Sequence, residues 1–414
     1  EACSALIGAS PSNVALGGIS AARRASFWRL TCVGGSPQIG GMNCFTGIVG
    51  FWMVMGLTAV LGDDSGGFRP LFNGENLDGW INVNCAPSTW KMEDGILKCS
   101  GKPIGEIRTE RMYQNFVLEL EWRHLVPKGN AGVFVWADDI TARGQPFIRG
   151  IEVQVLENAY GNSRNYTTHG DIFPIHGAKM TPVNGRGGSR AFPTENRSNP
   201  SPEWNHYRIT CEDGSIALEV NGKLVTQGNE CRPKKGYICL ESEGGVVEYR
   251  NVQIRELPKT PIDPEDVAIA DRGYRVLYNG VDFAGWEPPA EDWKAADWEL
   301  IWTGDGTGEP LRTRETFGDF GFVFDVLLEK GSGVPRLKLR GDGEGIAIDP
   351  ASLHLAKPGQ WNRFQGEVRG NVIVGTINDK MWRQVVDGEA SRGRISIYPA
   401  KKVRFANLYV RDLD

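Results

Sequence analysis

The sequence predicts an all-β protein built from two β-sandwich domains in tandem. Three observations carry this. Runs that alternate apolar and polar side chains recur along most of the chain, as in FVLELEWR (116–123) and IEVQVLE (151–157). No amphipathic helix of any length interrupts them, and the Asn-Gly of LEVNGKLV (218–225) is a strong hairpin signal. Finally, a set of segments occurs twice in the same order. LFNGENLDGW (71–80) returns as LYNGVDFAGW (277–286), and NFVLELEW (115–122) as DFGFVFDV (319–326). PEWNHYRI (202–209) returns as GQWNRFQG (359–366), and the closing segment 236–257 as 393–413.

Taken in chain order, residues 1–67 stand apart. Arg23, Arg24 and Arg29 precede an apolar run, Phe45 to Leu61, that Asp63 and Asp64 follow at once. Positive flank, apolar core and then acid is the order of a secretory signal, and the run is also long enough for an uncleaved membrane anchor. A buried helix of the folded part is the alternative. The expectation is export to the periplasm or beyond, with any membrane contact confined to this segment. The first repeat then spans 68–257, with strands expected in FVLELEWR, GVFVWA, IEVQVLE, HYRITCE, SIALEVNGKLV and VEYRNVQIREL. Residues 258–273 carry three prolines near their start and read as a linker. The second, shorter repeat spans 274–414. The first holds several dozen extra residues before its PEWNHYRI anchor, mostly in 158–200, a polar stretch with two of the five His; a loop of that length is usually functional or disordered.

Composition narrows the function. With 46 basic and 51 acidic residues the net charge is −5, so no basic excess exists to neutralise phosphates, and a nucleic-acid partner is not expected. Hydrophobic residues make up 40%, with 13 Trp, enough apolar surface for large cores. None of the eight Cys forms a C-x-x-C pair, which argues against a structural zinc site. Cys85, Cys99, Cys211, Cys231 and Cys239 fall in the first repeat, an odd set that fits up to two disulfides and a free thiol, or none; Cys85 and Cys99 are one candidate pair.

The segments LFNGENLDGW, NFVLELEWR, GNAGVF, IEVQVLEN, PEWNHYRIT, LEVNGKLV and VEYRNVQIREL, in this order, resemble the 3-keto-disaccharide hydrolase family, also described as 3-keto-glucoside lyases and 3-keto-2-hydroxyglucal hydratases. The second repeat resembles it more weakly. The resemblance implies two concanavalin-like jelly-roll sandwiches, a carbohydrate substrate and an exported protein.

Glu152 and Gln154 share one face of their strand by the period of two, and a bulge would bring Glu157 to the same side. The spacing is similar to the E-x-D-x-x-E strand of laminarinase-type glucanases, where two carboxylates flank the glycosidic bond; Gln154 replaces the middle Asp. Against a solvated outer face, Ile151, Val153 and Val155 already fill the core side, so Glu152 is expected to face a wet cleft. Glu121 and Arg123 line either a sugar cleft or plain surface. Trp136 and Trp90 offer stacking faces for a pyranose, although Trp is more often a core residue. Asn130 in GNAGVF joins the substrate-binding candidates. HGDIFPIHGAK brings His169, Asp171, His176 and Lys179 close in sequence: a site for a divalent metal ion, an acid/base His, or a loop pinned by His hydrogen bonds. Arg197 is a candidate clamp for substrate oxygens. In the second repeat, Glu344, Asp349 and a single His354 replace this set, so that copy is expected to be non-catalytic.

The resemblance implies chemistry on 3-oxidised glycosides. A C3 ketone acidifies the C2 proton; the enolate expels the C1 substituent, and hydration completes net hydrolysis. A base, an acid and a cation are needed. Glu152 is the candidate base, His176 or His169 the acid, with Glu157 nearby, and Arg197 or Lys179 the enolate partner. A non-catalytic carbohydrate-binding protein and an ordinary glycosidase are the rival readings.

Overall fold

The repeat motif LFNGENLDGW folds as its residue types require. The Asn73 side chain accepts from the amides of Glu75 and Asn76, Gly74 and Gly79 take positive φ (81° and 85°), and the Trp80 indole donates to Leu71 O at 2.8 Å. In the second copy Asn279, Gly280, Gly285 and Trp286 repeat every one of these features, with Trp286 donating to Leu277 O at 3.0 Å. Glycine is needed where a side chain would strain the left-handed turn. These contacts come from a computed structural model, which describes residues 67–413 apart from 272, 332, 334, 342–345, 349–353 and 387–390. The N-terminal segment expected to direct export, Glu344 and Asp349 lie outside the described residues.

Each repeat is a jelly-roll sandwich of two antiparallel sheets. In the first, a nine-stranded sheet faces a six-stranded one. In the second, an eight-stranded sheet faces a four-stranded one, with strands in the corresponding order. The strand Phe116–His124 shows how sequence sets this. Phe116, Leu118, Leu120 and Trp122 point into the sandwich, while Glu119, Glu121 and Arg123 point out. Opposite them the six-stranded sheet sends in Ile107, Val133, Val135, Ile151, Val153, Ile238 and Leu240. Apolar residues at every second position thus build one core between two sheets. The Asn221-Gly222 turn has φ of 47° and 80° and joins Ser215–Val220 to Lys223–Arg232 as a tight hairpin.

The extra segment of the first repeat is not the irregular loop its composition suggests. Ile172–Ile175 pairs with Gly150–Gln154 and extends the six-stranded sheet, while Lys179–Pro182 pairs with Lys223–Arg232 and extends the other. The remainder is fixed by side-chain bonds, because Gly, Asn and Thr satisfy backbone groups locally. Cys85, Cys99, Cys211, Cys231 and Cys239 are all buried free thiols, so the suggested Cys85–Cys99 bond is not formed. The two sandwiches meet where residues 138–149 of the first lie against the eight-stranded sheet of the second, with Phe134, Ile148 and Tyr237 packed near Val323 and Tyr409.

Candidate active site

The outward face of the six-stranded sheet gathers the acidic residues of the first sandwich. Strand register sets Glu106 opposite Glu241, Gly132 opposite Gln154 and Phe134 opposite Glu152. Half of this face is apolar and covered by residues 138–149. The other half is a row of acids: Glu106, Glu241, Glu152 and, at the strand end, Glu243. Gly132 makes the row possible. A Cβ there would sit 2.9 Å from Glu241 Oε2 and 3.1 Å from Glu152 Oε1, so only glycine leaves the gap between the two carboxyls. Glu241 Oε2 is buried with no hydrogen-bond partner among the described residues.

A polar chain borders the row. Gln154 Nε2 donates to Asn130 Oδ1 at 2.9 Å, and Asn130 Nδ2 donates to Glu243. On the other side Arg190 binds Asp171 at 2.9 Å and lies over the Phe173 ring, its guanidinium carbon 3.3 Å from the ring centroid. Asp171 is fully buried and also accepts from the amide and hydroxyl of Thr167.

Burial in like-charged company raises the acids. Glu152 is only 6% exposed; desolvation, then Glu243 and Asp171, push its pKa up to about 8, with Arg190 opposing. Glu243 is pushed up to about 7 by burial, opposed by Asn130 and Glu241. Glu241 and Glu106 lie well above the usual carboxyl range, chiefly because they are desolvated. The expectation that Glu152 faces a wet cleft is therefore corrected. Two carboxyls titrating around neutrality in one cluster supply a proton donor and a proton acceptor at the same pH. A separate cavity of about 320 Å3, lined by Phe72, Met92, Leu97 and Tyr249 among others, has no carboxylate or imidazole in its wall.

Of the residues singled out from sequence, Glu152, Gln154, Asn130 and Asp171 come together here. The others do not. Glu157 lies past the strand end, and its carboxylate accepts from the amides of Lys128, Ala159 and Ser201. Burial opposes ionisation there, but these three donors hold its pKa below the usual range. It caps the short turn Asn158–Tyr160. His169 is buried against Ser198, 2.7 Å from Nδ1 to Oγ, and desolvation lowers its pKa to about 4, so it is neutral and no proton donor of the imidazolium kind. His176 is exposed and stacks on Phe147 with centroids 6.4 Å apart. His169, Asp171 and His176 thus diverge, and no group of three His, Cys, Asp or Glu among the described residues is arranged to hold a metal ion.

Glu121 and Arg123 sit on the outer face of the other sheet, where Glu121 pairs with Arg250 at 2.5 Å and Arg123 with Glu248 at 2.6 Å. Lys179 is exposed on an edge strand of that same sheet. Arg197 is on the surface, bonded to Asn221 O at 3.0 Å. The cation that lies beside the acid row is Arg190. Trp90 is buried beside Tyr249. Trp136 is buried too, against Phe116, because its φ of 53° breaks the alternation and turns it inward beside Val135. Trp136→Ala is therefore expected to cost about 3–5 kcal/mol of stability, measured by urea unfolding, while the KM of the folded variant stays near that of the parent.

Glu106, Glu241, Glu243 and Arg190 escaped the sequence reading. A signal for them exists in the repeat. Thr109 accepts from the Ile238 amide as Thr313 does from Ile395, which aligns the two copies. In that alignment Glu106, Glu241 and Glu152 face Pro310, Tyr398 and Ala347. Among the described residues, these carboxylates are present in one copy and missing from the other.

Residues 67–255 match the family model described as the 3-keto-alpha-glucoside-1,2-lyase-like domain. The chain is also similar to a 3-keto-disaccharide hydrolase of Bacteroides thetaiotaomicron, 26% identical over 246 residues, covering 47% of this chain and 80% of the relative. Among solved structures it is similar to a putative glycosyl hydrolase from Parabacteroides distasonis, with 23% identity, a TM-score of 0.36, and coverage of 46% of this chain and 94% of that one. A Bacillus subtilis protein of unknown function with a galectin-like fold aligns at 11% identity and a TM-score of 0.33, covering 46% of this chain and 94% of that one.

Proposed function

We propose that the domain at residues 67–255, matched by the 3-keto-alpha-glucoside-1,2-lyase-like family, cleaves 3-keto-glycosides such as 3-keto-disaccharides. The observation that supports this most is the Glu152–Glu243 pair, one carboxyl pushed up to about 8 and the other to about 7 in the same buried cluster. In this reading the ionised member takes the C2 proton of the keto-sugar. The electron pair forms the C1–C2 double bond conjugated with the C3 ketone, and the C1–O bond breaks. The protonated member gives its proton to the departing oxygen. Water then adds at C1 and a proton returns to C2, which completes net hydrolysis. Arg190 stabilises the enolate oxygen, while Asn130 and Gln154 bind sugar hydroxyls. Export of the protein, expected from its N-terminal segment, remains part of this proposal.

The test is incubation with 3-keto-trehalose and with unoxidised trehalose, reading released glucose. Release from the keto-sugar alone is the expected result. Release from both would favour an ordinary glycosidase, a reading that rests on Glu152 and Glu241 flanking the Gly132 gap. In that reading burial would keep Glu241 as the proton-donating acid. Binding without any release would make this a carbohydrate-binding domain.

With Trp136 and Trp90 in the core, an exposed aromatic ring has to serve for stacking. Tyr160 is 44% exposed, close enough to Glu243 to feel its charge, and sits on the turn that Glu157 caps. Tyr160→Ala is expected to raise KM for the keto-sugar about tenfold, the value of one sugar-ring contact, with kcat little changed. An unaltered KM in steady-state kinetics removes Tyr160 from the binding surface.

A further inference from the structure

Among the described residues the second sandwich has no carboxylate row on its equivalent face, yet it holds a loop of the first by main-chain contacts. Asp325, fully buried, accepts from Gly144 N at 2.8 Å, from Arg363 Nε and Nη2 at 2.8 Å each, and from Asn407 Nδ2 at 2.7 Å. Arg363 donates on to Thr141 O at 2.8 Å, and Asn407 to Ala142 O and Gln145 O at 3.0 Å. Tyr409 meets the Thr141 hydroxyl at 2.9 Å. Gly144 has a φ of +64°, and a Cβ there would fall 2.1 Å from Trp361 Cγ, so the loop lies flat on the second domain.

The same loop runs directly to the acid row. Asn84 holds Pro146 O at 2.8 Å and accepts the Glu106 amide at 3.1 Å. Ile148 N then donates to both Glu106 carboxyl oxygens, at 3.3 and 3.2 Å. Glu106 is fully buried beneath this cover. The groups that feel its charge are Glu152, Glu241, Cys85 and Cys239 from its own sandwich, and Tyr409 from the second. Arg108 on the same strand is turned away, to Asp139 O and the Tyr237 ring.

The grip is not a by-product of repetition. The corresponding residues of the first sandwich are Glu121 and Asn251, and Asn251 shares the left-handed backbone of Asn407, φ 50° and 52°. There Glu121 closes on its own sheet, through Arg250 and Asn251.

We infer that the second sandwich positions the active site of the first: Asp325, with Arg363 and Asn407, holds residues 141–145 so that Ile148 stays on Glu106 and water stays off the inner end of the acid row. Asp325 is a positioning residue and touches no substrate. An activity readout rests on the keto-sugar reading; exchange of the Ile148 amide does not.

The experiment uses the full chain, with Asp325→Ala, Asp325→Asn and Gly144→Ala as variants and Glu121→Gln as the control. Asp325→Ala is expected to lower kcat for 3-keto-trehalose about tenfold or more, since a small displacement at a catalytic cluster has that effect, with KM within about twofold. The pH–rate profile should move to lower pH, because admitting water relieves the desolvation that raises the acids. Exchange of the Ile148 amide should accelerate. Asp325→Asn keeps an acceptor for Gly144 N and should recover part of kcat, and Glu121→Gln should match the parent. Where Asp325→Ala does not fold, Gly144→Ala decides, because it displaces the loop without touching either core. A folded Asp325→Ala or Gly144→Ala protein with parental kcat, pH profile and Ile148 exchange overturns the inference. If the parent chain is inactive on keto-sugars, the proposed function fails, and Ile148 exchange in the variants decides this inference alone.

Discussion

Glu152→Gln is expected to abolish turnover of keto-sugars and, at the same time, to stabilise the protein at neutral and alkaline pH. The first effect follows from losing a proton carrier within the pair, worth about 10²–10⁴-fold for acid/base catalysis. The second follows from linkage. In the folded protein Glu152 keeps its proton up to about pH 8, whereas the unfolded chain loses it near the ordinary glutamate value of 4.5. Between those values the folded state binds the extra proton, so stability falls as pH rises. Each pH unit across the window costs about 1.4 kcal/mol. Below pH 4.5 both states are protonated and the penalty vanishes. The variant has no proton to lose. Its advantage in melting temperature over the parent should therefore be small at pH 4.5, grow through neutrality and level off above pH 8. A series of thermal melts across that range checks this. A difference that does not change with pH, or parental turnover in the variant, removes Glu152 from the proton-transfer pair.

Half of this acid and amide cluster follows from the strand pattern. The alternation of IEVQVLE gave the correct face for Glu152 and Gln154, because a period of two requires only that one face be core. It gave no indication that the opposite face was also buried, since Glu152 is packed among Glu243, Arg190 and Asp171, which reach it from beyond its own strand. Glu241 and Glu106 sit alone in YICLES and GEIRT, where a single acid looks like an ordinary outward residue. His169 and His176 stand out as residue types, yet desolvation lowers each to about 4, which leaves both imidazoles neutral near pH 7. Trp136 takes the core option of its two readings because one residue of bulge shifts the alternation. The fold was more legible than the site because the LFNG…GW turn and the alternating strands each depend on local chemistry, and each occurs twice. The site depends on register between strands distant in sequence, which no local pattern encodes.

Arg190 is the other residue whose loss should be severe, and its two roles can be separated. It pairs with the fully buried Asp171 and offsets the acids around Glu152. Arg190→Gln leaves Asp171 buried without its cation, and breaking a buried pair from one side costs about 3–5 kcal/mol. Burial already raises the Asp171 carboxyl, with Thr167 and Arg190 opposing; without Arg190 it should rise further, and Glu152 with it. The double variant Arg190→Gln/Asp171→Asn removes the orphaned charge, and the amide still accepts from Thr167. Its stability should return to within about 1 kcal/mol of the parent, as expected when both members of a buried pair are replaced together. Activity should not return. If Arg190 meets the developing enolate, its loss costs about 10²–10³-fold in kcat, comparable to removing one preorganised donor from an oxyanion site, and restoring the fold does not restore the charge. Urea unfolding and steady-state kinetics on the same two proteins separate the outcomes. A double variant that regains both stability and kcat makes Arg190 a structural partner of Asp171 alone, and the enolate then has to be met by another donor of the cluster.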